Sequence, residues 1–180
     1  MSTAYDLAHA SPAQQGAAQK ALDNLGFTVP FIEHLGIEFL SYGEGASHLR
    51  IAPLPEHMNA YGMAHGGVVM TLLDVTMAFA ALEPDRPGLG AITVEMKSTF
   101  LRPSTGVLTA RGRLIHRTRT LVFLEATVFN GEGQPSAQAS GTFVLKERPA
   151  AAPAPSAGSA HSAEGAGSAG NAGSGNTASR

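Results

Sequence analysis

The chain has 180 residues, a formal net charge of -2 and no cysteine. So small a charge, without a long run of Lys or Arg, argues against broad binding to nucleic acid or to an anionic membrane. The lack of cysteine excludes disulfides, thiol nucleophiles and Cys-ligated metals. The N-terminus lacks the basic-then-apolar pattern of a signal peptide, and no apolar run reaches the ~18 residues that span a bilayer, so we expect a cytoplasmic protein.

The two ends of the chain differ in composition from its middle. Ser11-Pro12 and Gly26 are typical start and stop signals for a helix, so residues 1–29 are predicted to be a peripheral helical segment. Twenty-three of the last 31 residues are Ala, Gly or Ser, and none is a large aliphatic or aromatic residue. Residues 149–180 are therefore predicted to be a disordered tail, since they have too little apolar surface to offset ordering entropy. Residues 30–148 suffice for one domain with its own core.

Glycines and prolines delimit short elements in the first part of this domain. We predict a turn over residues 31–35 and two strands over residues 37–42 and 46–52. The strands are joined at Gly43-Glu44-Gly45, which is typical of a hairpin. Residues 53–64 contain two prolines and a glycine and are predicted to form a loop.

The segment over residues 68–82 is predicted to be a buried helix. Its sequence, VVMTLLDVTMAFAAL, has polar side chains only at Thr71, Asp74 and Thr76. Apolar residues therefore surround nearly the whole helical circumference, which indicates burial on all sides.

Four strands are predicted to follow, over residues 91–101, 107–117, 120–130 and 135–146. A turn sequence at residues 130–133, Asn-Gly-Glu-Gly, predicts a hairpin between the last two. The resulting expectation is an α+β fold, in which a largely antiparallel sheet of five or six strands curves around one long apolar helix.

Asp74 is the only acid in the apolar helix. A carboxylate in such a setting loses solvation unless it is paired or borders a cavity. Two interpretations follow: a structural Asp satisfied by Thr71, Thr76 or backbone amides, or a functional carboxylate in a site.

The segment NAYGMAHGG, from Asn59 to Gly67, directly precedes this helix. Gly66 and Gly67 at a helix N-terminus would let an anion approach N–H groups that have no intrahelical acceptor, which suits an oxyanion. The alternative is a tight loop-to-helix turn, the commoner fate of a glycine pair. His65 could be a general base, although a histidine that bonds the backbone and shapes the turn is favoured.

No metal site is expected from the histidines near the helix. His57, His65 and Asp74 show none of the close helical or strand spacings that metal sites favour.

The combined pattern Asn59-x2-Gly62-x2-His65-Gly66-Gly67-x6-Asp74, followed by TVEMKSTFLRP, resembles a known family. It is similar to the phenylacetate-pathway (PaaI-like) and small human-type branch of the hotdog-fold acyl-CoA thioesterases, over roughly residues 30–147. The resemblance implies a helix wrapped by an antiparallel sheet and dimers that often pair into tetramers. It also implies hydrolysis of acyl-CoA thioesters without a metal or organic cofactor.

The resemblance also implies roles for four residues. Asp74 would orient and deprotonate water or attack the carbonyl directly, the Gly66 N–H would stabilise the oxyanion, and the Asn59 amide would help to hold the thioester. A hydroxyl at Thr93 would assist the carboxylate. Strict alternation, however, places Thr93 on the strand face opposite to residues 92, 94 and 96, where it would be an ordinary solvent-facing threonine.

Substrate contacts are expected in two further places. His116-Arg117-Thr118-Arg119 falls at a predicted turn, where related enzymes receive the nucleotide of CoA. Guanidinium groups suit phosphate oxygens, and a solvated turn is the alternative. The acyl group would meet a pocket drawn from Tyr61, Met70, Met77 and Phe79.

Two rival functions stay open at this point. Hotdog domains also serve as acyl-thioester dehydratases or hydratases, which resemble one another in placing a His with an acidic partner on the buried helix. The helix here has no His, which favours hydrolysis. A non-catalytic acyl-CoA sensor would use the same pocket, and Asp74 argues against it.

Gly66 and Asp74 are eight residues apart, or about 12 Å along a helix. Because one carbonyl cannot easily meet both, we expect a homodimer with antiparallel central helices and shared sites.

Overall fold

The computed structural model describes residues 29–86 and 88–148. The helix predicted between Pro12 and Gly26 and the tail predicted at residues 149–180 lie outside the described residues. In chain order, the elements are α1 (Pro30–His34), β1 (Glu38–Gly43), β2 (Ala46–Ile51), a 3₁₀ turn (Pro55–His57), α2 (Gly66–Ala80), β3 (Leu89–Phe100), β4 (Leu108–Arg117), β5 (Leu121–Phe129) and β6 (Pro135–Glu147).

The six strands form one antiparallel sheet in the order β1-β2-β4-β5-β6-β3. The predicted hairpin at residues 43–45 joins β1 to β2, with positive φ at all three turn residues. β1 and β3 are the two edges of the sheet. The α+β architecture predicted from the sequence is confirmed.

The long helix α2 contacts all six strands, so the sheet curves around it. Leu72, Leu73 and Met77 have no exposed surface, because they fill the space between helix and sheet. A Cβ atom at Gly112 would lie 2.7 Å from the carbonyl oxygen of Thr76, so only glycine lets β4 come this close to α2.

One side of α2 remains open between the two sheet edges. Met70 is 43% exposed, and Asp74 is half-buried. The prediction of burial on all sides is therefore wrong on this face, because a single sheet whose edges do not meet leaves a gap along the helix.

The helix also begins at Gly66, two residues earlier than predicted. The reason is a cap: Nδ1 of His65 accepts a hydrogen bond of 3.0 Å from the N–H of Gly67. This bond satisfies one of the N–H groups that a helix start leaves without an acceptor.

β3 contains a β-bulge. Thr93 pairs with Phe143 on β6 and Glu95 pairs with the next residue, Thr142, so Val94 is an extra residue without a partner. Gly141 lies beside it, where a Cβ atom would be 2.9 Å from the carbonyl oxygen of Glu95. The strand therefore has two alternation patterns, one on each side of residue 94.

Candidate active site

Asp74 lies on the open side of α2, and β3 brings a hydroxyl to it. Oγ1 of Thr93 donates a hydrogen bond of 2.7 Å to Oδ1 of Asp74. The alternative partners do not reach the carboxylate, since Thr71 donates to the carbonyl of Gly67 and Thr76 to that of Leu72. Asp74 is therefore paired with a residue of β3 rather than with a residue of its own helix.

The strict alternation used to place Thr93 is wrong, and the bulge is the reason. Ala91 and Thr93 face the helix before the bulge, whereas Met96 faces it afterwards. Because of the extra residue at position 94, odd-numbered residues of β3 face the helix before the bulge and even-numbered residues face it afterwards. The sequence of β3 itself does not indicate the bulge. Gly141, on the neighbouring strand, is the related sequence feature, because a side chain there would collide with the bulged backbone.

Asp74 and Thr93 line a cavity of about 610 Å³ between α1, α2 and β3. Most of its wall is apolar. The lining residues are Val29, Phe31, Ile32, Met70, Thr71, Asp74, Val75, Ala78, Phe79, Leu82, Gly90, Ala91, Ile92, Thr93, Met96 and Arg148. The position and chemistry of this cavity suit an acyl group beside a carboxylate.

Two of the four residues predicted to line an acyl pocket lie on this cavity. Met70 and Phe79 line the cavity, but Met77 is completely buried in the core on the sheet side of α2. Tyr61 is 85% exposed on the loop before the helix and does not line the cavity. Arg148 was missed, because it lies at the boundary with the Ala/Gly/Ser-rich segment and no sequence pattern distinguishes it from a linker residue.

The N-terminus of α2 provides one unused donor. Within the described residues the N–H of Gly66 has no acceptor, whereas that of Gly67 is bound by His65. A Cβ atom on Gly66 would lie 3.5 Å from the ring of Phe100, which is an ordinary van der Waals contact. Since Nδ1 of His65 is an acceptor, this histidine acts as a helix cap in the structure, as the favoured interpretation predicted.

Asn59 orders the loop that leads into α2. Its Oδ1 accepts hydrogen bonds from the N–H groups of Tyr61 at 2.9 Å and Met63 at 3.4 Å. With the oxygen held in this way, the side-chain NH₂ is the remaining polar group of Asn59. In the described part of the chain that NH₂ has no acceptor, which leaves it able to donate to a ligand.

The turn between β4 and β5 separates the two predicted phosphate ligands. Nη2 of Arg117 donates to the carbonyl of Ala81 at 2.9 Å, and Nη1 lies 3.5 Å from Glu83. Arg119 is exposed, and no ion pair is recorded for it among the described residues. His116 packs its ring 6.2 Å from that of Phe123.

Comparison with known proteins shows similarity along the sequence to a protein family and to individual relatives. A model of the thioesterase superfamily matches residues 61–137. A provisionally named esterase of Saccharolobus solfataricus is 31% identical over 112 residues, which cover 62% of this chain and 74% of that protein. The chain belongs to the thioesterase superfamily.

Solved structures agree with this assignment. The PaaI protein from the phenylacetic acid degradation operon of E. coli has a TM-score of 0.61 at 22% identity, covering 73% of this thioesterase and 93% of that chain. A Streptococcus mutans protein determined bound to acetyl CoA has a TM-score of 0.56 at 26% identity, covering 62% and 90%. The PaaI structure shows that this chain and PaaI have the same fold.

The described residues of this thioesterase contain neither a cluster of metal ligands nor a membrane-spanning helix. No group of three or more His, Asp or Glu is arranged to hold a metal ion, and no helix among them has the length and apolar character to cross a membrane. The family assignment makes the chain a hydrolase of thioesters.

Proposed function

We propose that this thioesterase hydrolyses acyl-CoA by means of a water molecule that Asp74 activates. The observation that carries the proposal is the 2.7 Å hydrogen bond from Thr93 to Asp74 in the wall of a largely apolar cavity. This bond supports the proposal because it orients a carboxylate beside an apolar space, which is what hydrolysis of an acyl thioester requires.

The chemistry needs few groups. The bond from Thr93 engages Oδ1 of Asp74, and in the described residues Oδ2 has no recorded donor. Oδ2 can therefore accept a proton from a water that attacks the thioester carbonyl. A thioester is already electrophilic and its thiolate leaves readily, so a positioned base and an oxyanion site suffice.

The start of α2 would supply the oxyanion site. The Gly66 N–H and the side-chain NH₂ of Asn59 are both without acceptors in the described residues, and the helix dipole favours negative charge at this end. The Gly66 N–H lies about 12 Å along the helix axis from Asp74. A second copy with its helix antiparallel would bring its own Gly66 opposite Asp74.

The open side of α2 supports this pairing. Met70 on the helix and Ile92 and Val94 on the neighbouring edge strand are 43%, 52% and 60% exposed. Large exposed apolar side chains on an open helix face and on the adjacent edge strand are typical of an interface between subunits. We therefore propose a homodimer with shared sites as the active form, and its further pairing into a tetramer stays a prediction of the family resemblance.

The choice of CoA as the carrier rests on two observations. The related S. mutans protein was determined with acetyl CoA, and Arg119 presents an exposed cation at the β4–β5 turn, where phosphate binding was predicted. Against a dehydratase or hydratase, α2 carries no histidine. The hydrogen bond from the Thr93 hydroxyl to Asp74 argues against a non-catalytic sensor, because it orients the carboxylate as a catalytic base would need.

The test is hydrolysis of aryl, short-chain and medium-chain acyl-CoAs, followed with a thiol-reactive dye. Asp74→Asn, which is nearly isosteric but cannot act as a base, should lower kcat about 100-fold or more with little change in KM. Asp85→Asn, on an exposed loop, is the matched control and should leave kcat unchanged. Near-normal turnover by a folded Asp74→Asn variant would remove Asp74 from the mechanism.

A further inference from the structure

The cavity beside Asp74 is elongated along α2. Its helix residues recur on one face over about three turns, from Met70 to Leu82, just past the end of the helix. Twelve residues of a helix span about 18 Å. The residues that line it from β3 lie between Gly90 and Met96, which is about 20 Å of strand. The cavity is therefore a long groove between helix and strand.

The helix and the strand run in opposite directions along this groove. Near the start of α2, Gly66 lies against the ring of Phe100, and two turns later Asp74 meets Thr93. Residue numbers therefore rise along α2 as they fall along β3. This direction fixes which residues of the two walls stand at the same level.

Asp74 divides the groove into two unequal arms. Met70 lies four residues before it and Leu82 eight residues after it, so the arms measure about 6 Å and about 12 Å. Between Asp74 and Leu82 the helix lines the longer arm with Val75, Ala78 and Phe79, which are all apolar. The longer arm is therefore the one that suits a hydrocarbon chain.

The charged residue of the longer arm, Arg148, does not call for an anionic end group. It lies beside Gly90 at the far end, where its Cγ would be 3.0 Å from a Cβ atom on that glycine. Arg148 already has an interaction within the protein. An acyl chain that ends in a methyl group is therefore compatible with this end of the groove.

Two alanines face each other across the longer arm. Ala78 is four helix residues, or about 6 Å, beyond Asp74, and Ala91 is two strand residues, or about 7 Å, beyond Thr93. Both side chains line the cavity and are partly buried. Because each is a single methyl group, the groove stays open at this level, and a larger side chain on either wall would narrow it.

We propose that the longer arm binds the acyl group in extended form, and that Ala78 and Ala91 make the protein specific for unbranched saturated acyl groups of medium length. The inference rests on the proposed function, since it assigns the cavity to the acyl group. A C–C bond in an extended chain advances about 1.25 Å. A chain whose carbonyl lies at Asp74 therefore reaches Ala78 after about five bonds and Leu82 after about ten.

These lengths define the preferred substrates. A butyryl group ends about 4 Å from the carbonyl, before the two alanines, whereas an octanoyl group ends about 9 Å away and passes between them. A decanoyl group reaches the level of Leu82, at about 11 Å. Further methylenes would extend beyond the lining of the groove. Acyl groups of about eight to ten carbons are therefore expected to bury the most surface.

The experiment measures the affinity of acyl-CoAs by calorimetry in an Asp74→Asn background, so that turnover does not interfere. Affinity should rise about two- to fourfold per methylene from butyryl-CoA to decanoyl-CoA and level off at dodecanoyl-CoA. Octanoyl-CoA should bind more tightly than phenylacetyl-CoA, which has the same number of acyl carbons in a shorter and wider shape.

The decisive variant is Ala78→Leu. It should weaken octanoyl-CoA and decanoyl-CoA at least 10-fold and leave butyryl-CoA within about twofold, because only the longer chains pass this level. Ala91→Leu narrows the same level from the other wall and should give the same pattern. Ala46→Leu is the matched control, since Ala46 is exposed at the start of β2 and does not line the groove, and it should change no affinity.

Equal effects of Ala78→Leu on butyryl-CoA and octanoyl-CoA, or no effect on either, would overturn the inference, and Ala91→Leu decides the matter if that variant does not fold. Tighter binding of phenylacetyl-CoA than of octanoyl-CoA would also overturn it. Hydrolysis by the protein with Asp74 intact is measured in parallel. Turnover with affinities that do not depend on chain length rejects the inference alone. The expected affinities without turnover of any acyl-CoA reject the proposed function alone.

Discussion

The hydroxyl of Thr93 is the one group from β3 that bonds the carboxylate on α2. A hydrogen bond to a charged group contributes about 1.5–3 kcal/mol, and each 1.36 kcal/mol corresponds to a tenfold change in rate. Thr93→Val, which keeps the shape of the side chain, should therefore lower kcat about 10- to 100-fold. Thr93→Ser restores the donor and should stay within about threefold of the unmodified enzyme. Equal activity of the Val and Ser variants would show that the bond does not position Asp74.

His48 on β2 gives the fold a dependence on pH. Only 6% of its surface is exposed, and burial, reinforced by the charge of Arg111, lowers its pKa from the ordinary 6.5 to about 4. The unfolded chain takes up a proton more readily than the folded one, so the free energy of unfolding falls as pH drops from 6.5 towards 4. The full loss is on the order of 3 kcal/mol.

His48→Gln should remove this component. Urea unfolding at pH 7 and pH 4 measures it as the change in unfolding free energy between the two pH values, which should be smaller in the variant. An equally steep decline in both proteins would assign the acid sensitivity to other groups.

At the scale of elements, the turn between β4 and β5 carries two arginines, one bonded to the protein and one exposed to solvent. Arg117 holds the C-cap residue of α2 and Glu83, whereas Arg119 is exposed. Arg119→Ala should raise KM for acyl-CoA about 10-fold, since the phosphates lose a charge-assisted contact, and leave acyl-pantetheine substrates unchanged. Arg117→Ala should lower Tm without distinguishing the two substrates. Losses of equal size on both substrate types in Arg119→Ala would reject the phosphate role.

The sequence predicted α2 and the strands well, because apolar periodicity and turn residues report directly on burial and chain reversal. Asp74 was recognised for the same reason, as one acid in an apolar helix. Two features could not be read in this way. The bulge at Val94 depends on how β3 pairs with β6, and the position of Arg148 depends on the distance between chain segments that the sequence alone does not specify.

At the scale of the molecule, the separation of Gly66 from Asp74 predicts complementation between two inactive variants. Asn59→Ala and Asp74→Asn would be unfolded together and refolded. In a mixed dimer with shared sites, one site receives both lesions and the other receives neither. Random pairing makes about half of the dimers mixed, so activity should return to about a quarter of the unmodified level.

The comparison requires two controls. Asn59→Ala alone must be severely impaired, and mixed dimers must be confirmed by mass spectrometry. If each site is built from one chain, every site keeps a lesion and no activity returns. That result would replace the shared-site dimer with a site completed inside a single subunit.

The extra residue at Val94 sets a condition for moving this chemistry into another scaffold. The helix-facing residues of β3 have odd numbers before Val94 and even numbers after it. Gly141 on the neighbouring strand leaves room for the displaced backbone. Grafting Thr93 into a regular strand would carry over the hydroxyl but would turn Met96 away from the cavity. The transferable unit is therefore a pair of strands, residues 89–100 together with their partner on β6, and not a set of catalytic side chains.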